Sequence, residues 1–367
     1  MYTRKHVQNP LWLLFWWIIF TSCSSNDGEP TAESSDIEVS PTQLTLSYEG
    51  ESVTLHVKSG QDWTAFSNND WIDCRVQMND GLVKVSASAN TNYQSRKGMV
   101  VVKSGTTRIS VPVSQEAKPE ITDPDIAVPD GYRLVWNDEF NKGNEPDMTN
   151  WYYETGGNGW GNNELQTYVA GNQNGERLAS VANGILTITA KKIGETVYSI
   201  RMNTTESWKY GYFEARMRLP QGKGTWPAFW MLPKDFIAWP DDGEIDIMEE
   251  VGYDPNVVVS TIHCKAYNHS IGTQKTDNVL VPTAQTDFHI YALEWTEDFI
   301  RTYVDGKEIF YFANDKTGNK NTWPFNIPFY LKLNLAWGGN WGGAQGTDES
   351  VLPARYEIDY VRVFQKK

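Results

Sequence analysis

The sequence predicts an all-β protein built from two sandwiches, a small one followed by a large one. Short runs that alternate apolar and polar residues recur along most of the chain, whereas helical periodicity is hard to find. Turn residues separate these runs, and Asp305-Gly306 between FIRTYV and KEIFYF is a strong hairpin pattern. The 367 residues also exceed one typical domain, so we expect more than one compact unit.

The composition restricts the classes of function. The chain has 46 acidic and 32 basic side chains, which gives a net charge of −14. Because nucleic-acid binding depends on clustered lysine and arginine, this balance argues against a nucleic-acid partner. The chain also has 16 tryptophans and 18 tyrosines. Aromatic residues in this excess either fill sandwich cores or line a site that stacks the flat faces of sugars.

The N-terminus resembles the signal peptide of a bacterial lipoprotein. A basic stretch precedes an apolar run at 11–20, which is about half the length that a membrane-spanning helix needs. Small residues then lead to Cys23, which predicts a signal peptide over 1–22 and acylation of Cys23. The polar tether 23–36 resembles the acidic stretch that sends Bacteroidetes lipoproteins to the cell surface. We expect an exported, surface-exposed lipoprotein of the outer membrane; ordinary secretion, with Cys23 a spare thiol, is the alternative.

Residues 37–117 predict a small immunoglobulin-like β-sandwich. Strand-like runs lie between turns at 43–47, 52–58, 82–88, 98–104 and 107–114. Trp63, Asp70-Trp71-Ile72 and Arg96-Lys97-Gly98 make the segment resemble the BACON domain, a family that precedes catalytic modules in gut Bacteroidetes and was proposed to bind carbohydrate. We favour the alternative of a spacer, with Trp63 and Trp71 in its core.

A proline-rich stretch at 118–130 predicts a semi-rigid linker. From 131 to 367, strand-like runs rich in tryptophan, tyrosine and β-branched residues dominate. They lie at 185–191, 210–219, 256–263, 288–295, 329–337 and 356–364. Antiparallel strands in such number predict one large two-sheet sandwich, closer to a jelly roll than to an immunoglobulin fold.

A ladder of acids lies in DDGEIDIMEE at 241–250. Glu244 and Asp246 alternate with isoleucines, so on a strand they share one face, although neighbouring carboxylates repel each other. A regular strand would turn Glu249 away and leave Glu250 about 20 Å from Glu244 at roughly 3.3 Å per residue. We therefore predict a β-bulge that brings Glu249 onto the acidic face. Two long glutamates can then approach the roughly 5 to 5.5 Å separation of a retaining glycosidase.

The ladder matches the ExDxxE pattern of family 16 glycoside hydrolases, and the resemblance extends across 131–365. It includes LVWNDEFN, NGWGNNELQTY, YGYFEARMRLP, GTWPAFWML, LNLAWGGNWGG and EIDYVRVFQ, in this order. The laminarinase and β-1,3(4)-glucanase branch of that family has a β-jelly-roll fold with a concave cleft. The resemblance implies endo-acting, retaining hydrolysis of β-1,3- or mixed-linkage β-1,3/1,4-glucans, with no cofactor required.

The same resemblance implies a role for each acid. Glu244 is the nucleophile, Glu249 the general acid/base and Asp246 the assisting acid. Glu249 protonates the glycosidic oxygen while ionised Glu244 attacks the anomeric carbon, and water then resolves the glycosyl-enzyme. Asp246 holds a proton or a hydrogen bond that keeps the other two acids on opposite sides of their titration.

Further positions are carried over from the resemblance. Sugar contacts are expected from Trp239, Trp226, Trp341, Arg201, Asn162 and His263, although Arg201 and Asn162 could equally be structural. Trp337 stands where a small aliphatic residue is usual, so we expect it to reshape the cleft and contact substrate. Glu139 and Asp359 resemble a convex-face calcium site, for which two satisfied strand-end carboxylates are the alternative.

Two rival functions stay open at this point. A hydrolase of a galactan such as agarose or carrageenan would carry the same bulged triad. A non-catalytic glucan-binding protein would keep the aromatic cleft and lose the acids, so the presence of all three argues against it. We expect a monomer whose partners are a β-glucan and a lipid anchor, acting beside other glycan-binding lipoproteins of the cell surface.

The lipidation hypothesis leads to a direct test. We expect Cys23→Ala to release the protein from the membrane fraction, because the substituted residue has no thiol to acylate. Cell fractionation followed by immunoblotting measures the distribution. Persistence of the variant in the membrane fraction would mean that something other than Cys23 anchors the chain.

Overall fold

The computed structural model describes residues 37–367. The predicted signal peptide 1–22, the acylation site Cys23 and the tether 23–36 lie outside the described residues. The chain divides into two compact units between Lys118 and Pro119. Among the described helices, none is long and apolar enough to cross a membrane.

The first unit contains two four-stranded sheets within residues 37–118. Their orders are β1-β3-β6-β5 and β2-β8-β7-β4, and only β2 and β8 pair in parallel among these described strands. The strands are β1 (Ile37–Ser40), β2 (Leu44–Leu46), β3 (Ser52–Ser59), β4 (Trp63–Phe66), β5 (Ile72–Gln77), β6 (Leu82–Ala87), β7 (Arg96–Ser104) and β8 (Thr107–Gln115), with a 3₁₀ turn at Met78–Asp80.

The two tryptophans of interest in this unit serve its packing. Trp63 is 5% exposed and belongs to the apolar core. The Arg96 guanidinium lies 4.4 Å from the centroid of the Trp71 ring and is held there by Gln115 and the carbonyl of Ser88. One ring is thus buried and one face of the other is covered, which favours the spacer interpretation over a sugar platform.

The second unit is a sandwich of a seven-stranded and a ten-stranded sheet within residues 119–367, together with a small two-stranded ribbon. Its strands are β9 (Tyr132–Asp138), β10 (Trp151–Tyr153), β11 (Thr167–Tyr168), β12 (Asn172–Gln173), β13 (Glu176–Arg177), β14 (Ala179–Ala182), β15 (Ile185–Ile193), β16 (Thr196–Ser199), β17 (Arg201–Thr204), β18 (Gly211–Arg218), β19 (Thr225–Pro233), β20 (Glu244–Glu249), β21 (Val257–His263), β22 (Lys275–Leu280), β23 (His289–Trp295), β24 (Phe299–Val304), β25 (Lys307–Ala313), β26 (Phe329–Trp337) and β27 (Ala354–Lys366). The 3₁₀ turns are Gly159–Gly161, His269–Ile271 and Glu349–Val351.

The order of strands places the acidic ladder near the middle of one sheet. The seven-stranded sheet runs β10-β17-β26-β19-β20-β21-β22, so β20 is flanked by β19 and β21. The ten-stranded sheet runs β11-β16-β15-β27-β18-β23-β24-β25, with β14 beside β15 and β9 beside β27. The predicted all-β jelly-roll sandwich is confirmed, and the run predicted at 329–337 matches β26 in both bounds.

The stretch predicted as a linker packs against the second sandwich. Ile126 is 6% exposed and packs with Tyr132, Leu134 and Phe364 of the second unit. Glu120 also pairs with Arg133 at 3.5 Å. The prolines do not prevent this stretch from packing against the sandwich. Burial of the Ile126 side chain favours the contact.

This packing predicts that two truncations differ in stability. A chain beginning at Pro119 should unfold at a higher temperature than one beginning at Pro129, because the shorter chain exposes the surface that Ile126 covers. Burial of one isoleucine contributes about 1.5–3 kcal/mol, which corresponds to a Tm difference of about 5 °C in a domain of this size. Thermal unfolding measures the difference, with Ile126→Ala in the longer chain as the matched control. Equal Tm values would show that the docking contributes nothing.

Candidate active site

The acidic ladder contains the predicted β-bulge. On the β21 side, Asp246 lies opposite Thr261 and Glu249 lies opposite Val259, so four residues of β20 face three of β21. The pairing with β19 shows the same one-residue shift. The bulge is therefore confirmed on both sides of the strand.

The bulge separates acidic from apolar side chains. Ile245, Ile247 and Met248 are at most 1% exposed and belong to the core. Glu244 and Glu249 stay partly open to solvent, and Asp246 is buried near them. Protonated Asp246 donates a hydrogen bond to Glu244, and the charge of Glu249 acts on both of the other acids. The three acids thus form one electrostatic unit.

Burial and mutual repulsion keep protons in this unit. Burial is the main cause that raises the pKa of Glu244, Asp246 and Glu249 above the usual carboxyl range. Repulsion from Glu249 raises the pKa of Glu244 further, and repulsion from Glu244 and Glu249 raises that of Asp246. The three groups therefore titrate as a set, and the loss of one proton opposes the loss of the next.

The surroundings of the two glutamates have opposite signs of charge. The positive charges of Arg201 and Lys332 and a hydrogen bond from Trp239 lower the pKa of Glu244 against the effect of burial. The negative charge of Glu164 instead raises the pKa of Glu249. These charges favour ionised Glu244 with protonated Glu249, whereas burial, repulsion from Glu249 and the hydrogen bond from Trp226 to Glu249 oppose it and leave the pKa of Glu244 at about 8 and that of Glu249 at about 7.

His263 closes one end of the ladder. It lies opposite Glu244 on β21, and its Nε2 is 3.4 Å from Asp246 Oδ2 and 3.8 Å from Glu244 Oε1. Burial, with a smaller effect from His269, lowers the pKa of His263 to about 3. The imidazole is therefore neutral, and its contact with Asp246 is polar rather than an ion pair.

A half-buried ion cluster supplies the positive charge near Glu244. Arg201 Nε and Lys332 Nζ both donate to Glu154, the lysine at 3.1 Å to each carboxylate oxygen. The Arg201 guanidinium also lies 4.5 Å from the Trp160 ring centroid and 4.7 Å from that of Trp230. Arg201 is at the site as the sequence predicts, whereas Glu154 and Lys332 are site residues that the sequence pattern did not indicate.

A second polar network, also missed, holds Glu164. Gln166 Nε2 and the Tyr168 hydroxyl donate to Glu164 Oε2 at 2.6 and 3.2 Å, and Asn162 adds a further hydrogen bond. Asn334 extends the network by donating to the Tyr168 oxygen. Alternation in ELQTY, with positions 164, 166 and 168 buried and 165 exposed, was the signal for this polar face.

The predicted aromatic residues divide into two groups at the site. Trp226 Nε1 donates to Glu249 Oε1 at 2.9 Å, and the Trp226 ring meets Trp341 edge-on at 5.5 Å between centroids. Trp239 contacts His263 at 5.7 Å and His269 at 4.7 Å between ring centroids. One tryptophan thus binds each catalytic candidate, Trp226 at Glu249 and Trp239 at Glu244.

Trp337 corrects a prediction. Its side chain is 1% exposed, so it has no face for a sugar. Position 337 shares its strand face with Leu331, Leu333 and Leu335, all fully buried, because side chains alternate along β26. The expected substrate contact of Trp337 is therefore wrong, and the indole is part of the core.

The two carboxylates predicted to bind calcium instead form hydrogen bonds with arginine side chains. Arg362 donates two hydrogen bonds of 2.9 Å to the two carboxylate oxygens of Glu139, and Arg216 donates to Asp359 at 2.5 Å. A cation would have to displace both guanidinium groups, so these residues do not fit a calcium ion. In the described part of the chain, Glu244, Asp246 and His263 are a set with ligand atoms within 4.8 Å of one another, but the first two are the acids of the ladder.

Glu250 secures the strand just after the bulge. It is fully buried, and its Oε1 accepts hydrogen bonds from the Asn256 backbone at 2.5 Å and from Gln285 Nε2 at 2.9 Å. Burial raises the pKa of Glu250 to about 8. The two neighbouring glutamates thus differ completely, since Glu249 opens to the site and Glu250 is anchored inside.

Comparisons with known proteins identify one family. A model of the glycosyl hydrolases family 16 matches residues 164–362. The chain is 47% identical over 247 residues to a β-glucanase of Rhodothermus marinus, covering 64% of this chain and 85% of that protein. It is also similar to the crystal structure of the laminarinase from Rhodothermus marinus, with a TM-score of 0.61, 46% identity and coverage of 64% of this chain and 98% of that one.

A third similarity includes a bound oligosaccharide. SCLam is a non-specific endo-β-1,3(4)-glucanase from family GH16, and a variant of it was crystallised with a tetrasaccharide, presenting 1,3-β-D-cellobiosyl-glucose at its active site. The TM-score is 0.62 at 43% identity, and the match covers 68% of this chain and all of that one.

The buried Glu250 predicts a stability change with pH. Its folded pKa of about 8 lies above the unfolded value of about 4.3, so its contribution is full below the unfolded value and is lost as the pH rises towards 8. Glu250→Gln keeps the shape without the titration. Between pH 5 and pH 8 the native Tm should therefore fall by at least about 2 °C more than the Tm of the variant. Glu195→Gln, at a fully exposed site, is the control and should parallel the native curve; a parallel curve for Glu250→Gln would refute the assignment.

Proposed function

Because the chain belongs to family 16 of the glycosyl hydrolases, we propose that it hydrolyses β-1,3- and mixed-linkage β-1,3/1,4-glucans within the polymer. The observation that carries the proposal is the bulged ladder, in which Glu244 and Glu249 share one side of a strand with Asp246. The named activities of the similar proteins, β-glucanase, laminarinase and endo-β-1,3(4)-glucanase, support glucan as the substrate class.

The mechanism begins from the proton distribution that the neighbours favour. Glu249, protonated beside the negative Glu164, donates its proton to the glycosidic oxygen, while Trp226 orients its carboxyl group. Ionised Glu244 then attacks the anomeric carbon and forms a glycosyl-enzyme. Loss of the proton from Glu249 leaves a base that activates water for the second step, which retains configuration.

Asp246, Arg201 and Lys332 stabilise the ionised form of the nucleophile Glu244. The Asp246 hydroxyl donates to Glu244, and the positive charges of Arg201 and Lys332 stabilise its ionised form. When Glu249 is protonated, its repulsion of Glu244 disappears, so the two catalytic states support each other. His263 stays neutral beside Asp246 and so leaves the charge of the set unchanged.

Sugar contacts follow from the aromatic groups at either end of the ladder. Trp239 beside Glu244 and Trp226 with Trp341 beside Glu249 are each partly exposed, so they offer faces for glucose near the scissile bond. Arg201 is committed to Glu154 and two tryptophan rings, and Asn162 to Glu164, so we assign both to positioning of the site. No calcium site forms part of the proposal.

We further propose that the enzyme works outside the cell and is held at the outer membrane by a lipid anchor. The lipobox-like residues before Cys23 support acylation, and the BACON-like unit 37–117 would serve as a spacer. The burial of Trp63 and the Arg96 guanidinium over one face of the Trp71 ring support the spacer role over sugar binding. The predicted partners are then a β-glucan on the catalytic side and the outer-membrane lipid at the N-terminus.

The function is tested on a panel of polysaccharides. The native chain should release reducing ends from laminarin and from mixed-linkage β-glucan and leave cellulose intact, because the site needs a bent β-1,3-linked glucose beside the cleavage point. Glu244→Gln should abolish turnover and keep oligosaccharide binding, since the amide keeps the shape but cannot form the glycosyl-enzyme. Product analysis and calorimetry measure the two effects. Hydrolysis of agarose instead of glucan would establish the galactan rival, and binding without hydrolysis the non-catalytic one.

Azide separates the two glutamate roles within the same experiment. With an activated aryl glycoside, azide should restore turnover to Glu249→Ala with retained configuration and to Glu244→Ala with inverted configuration. The reverse pattern would exchange the assignments of Glu244 and Glu249.

The charge of Glu164 leads to a prediction about the pH profile. Glu164→Gln removes a negative charge near Glu249, so it should lower the pKa of Glu249 and move the alkaline limb of kcat/KM to lower pH. The shift should be about half a pH unit or more, since one neighbouring charge changes a buried pKa by this order. Glu176→Gln, on a half-exposed carboxylate of the two-stranded ribbon, is the matched control. An unmoved alkaline limb in Glu164→Gln would remove Glu164 from the catalytic electrostatics.

A further inference from the structure

We propose that Ser260 and Thr302 are positioning residues that hold the catalytic bulge in register and so place Glu249 against the substrate. The inference rests on the proposed function, because it concerns the acid/base of that reaction. It starts from two buried hydroxyl groups that the catalytic mechanism does not use.

Ser260 lies directly opposite the bulge. Its two neighbours on β21, Val259 and Thr261, pair with Glu249 and Asp246, so the extra residue of β20 faces Ser260. A bulge leaves backbone groups without a ladder partner, and a buried carbonyl without a hydrogen bond is costly. Ile247 has no paired residue in the register with β19 or with β21, and the Ser260 hydroxyl donates to its carbonyl at 2.7 Å.

Thr302 supports Ser260 from the opposite sheet. The Thr302 hydroxyl on β24 donates to Ser260 Oγ at 2.9 Å, and both residues are fully buried. With its oxygen accepting from Thr302, the Ser260 hydrogen is directed to Ile247. This chain of two hydroxyl groups links the ten-stranded sheet to the bulge of the seven-stranded sheet.

The hydroxyl pair matters because a one-residue slip reverses the faces of a strand. Without the bulge, Glu250 and not Glu249 would continue the face of Glu244 and Asp246. A donor aimed at the Ile247 carbonyl is satisfied in the bulged register and would have to compete with a ladder hydrogen bond in the regular one. Ser260 therefore favours the register in which the acid/base faces the site.

The chain offers a closely matched control in Ser199. This serine is also fully buried, and its hydroxyl donates at 2.6 Å to the carbonyl of Leu335 on β26 of the other sheet. Ser199→Ala and Ser260→Ala thus delete the same kind of hydrogen bond, one away from the bulge and one at it. If the two variants lose a similar amount of Tm, the two substitutions destabilise the fold equally, and a difference in their activities does not come from stability.

The test compares substrates that need acid assistance to different degrees. For Ser260→Ala we expect kcat/KM on laminarin to fall about 10- to 100-fold, because small displacements of a catalytic group have effects of this size. On an aryl β-laminarioligoside with a good leaving group the loss should be less than about threefold, because departure of that group needs little help from Glu249. Ser199→Ala should show no such difference between the substrates.

Thr302 provides the second arm, which also applies if Ser260→Ala does not fold. Thr302→Val should show a smaller selective loss on laminarin than Ser260→Ala, and Thr302→Ser, which keeps the hydroxyl, should restore the native ratio. Equal losses on both substrates in Ser260→Ala and Thr302→Val, or a native ratio in both, would overturn the inference.

A crystal structure of Ser260→Ala, or of Thr302→Val in its place, separates this inference from the proposed function. A displaced Ile247 carbonyl and a shifted Glu249 carboxylate are expected whether or not the native chain cleaves laminarin. An unchanged bulge in that crystal would refute the positioning role, whereas an inactive native chain with a displaced bulge would refute only the proposed function.

Discussion

The main constraint on the structure of the second unit is that three carboxyl groups lie close together at one site. Three acids on a single strand repel one another and lose hydration, so each raises the free energy of the folded state unless it holds a proton or gains a partner. Several groups offset this cost. Trp226 donates a hydrogen bond to Glu249, Trp239 donates one to Glu244, and the Arg201 and Lys332 cluster adds positive charge near Glu244. These compensations come from several strands, so the site exists only when the whole sheet is assembled.

The same constraint explains why the polar partners are themselves tightly held. Lys332 is 2% exposed, and burial with repulsion from Arg201 lowers its pKa to about 7 in spite of the opposing effect of Glu154. Its charge near Glu244 therefore depends on Glu154. Within residues 37–367, Glu154 has no hydrogen bond to either catalytic glutamate. A substitution of Glu154 would nevertheless change the pKa of Glu244, because it would alter the positions or charges of Arg201 and Lys332.

Much of the fold and the centre of the site could be predicted from the sequence, because both follow from side-chain alternation. Parity along EIDIMEE required the bulge, and β26 matches its predicted run in both bounds. The same parity places Trp337 with the leucines of β26, so side-chain alternation indicates its burial, whereas the expected substrate contact rested on the family resemblance, in which a small aliphatic residue is usual at this position. Glu154 and Lys332 could not be paired in advance, since they lie far apart in sequence and the pairing arises from strand order. Ser260 was visible only as a polar residue on the core face of VVVSTIH.

The raised pKa values of the buried carboxyls also determine how the folded molecule migrates in an electric field. Glu244, Asp246, Glu249 and Glu250 lose their protons at a higher pH than the same residues in an unfolded chain. The formal charge of −14 treats every acid as ionised and therefore overstates the negative charge of the native state. At these four carboxyls folding is accompanied by proton uptake, which the lowered pKa values of His263 and Lys332 partly offset.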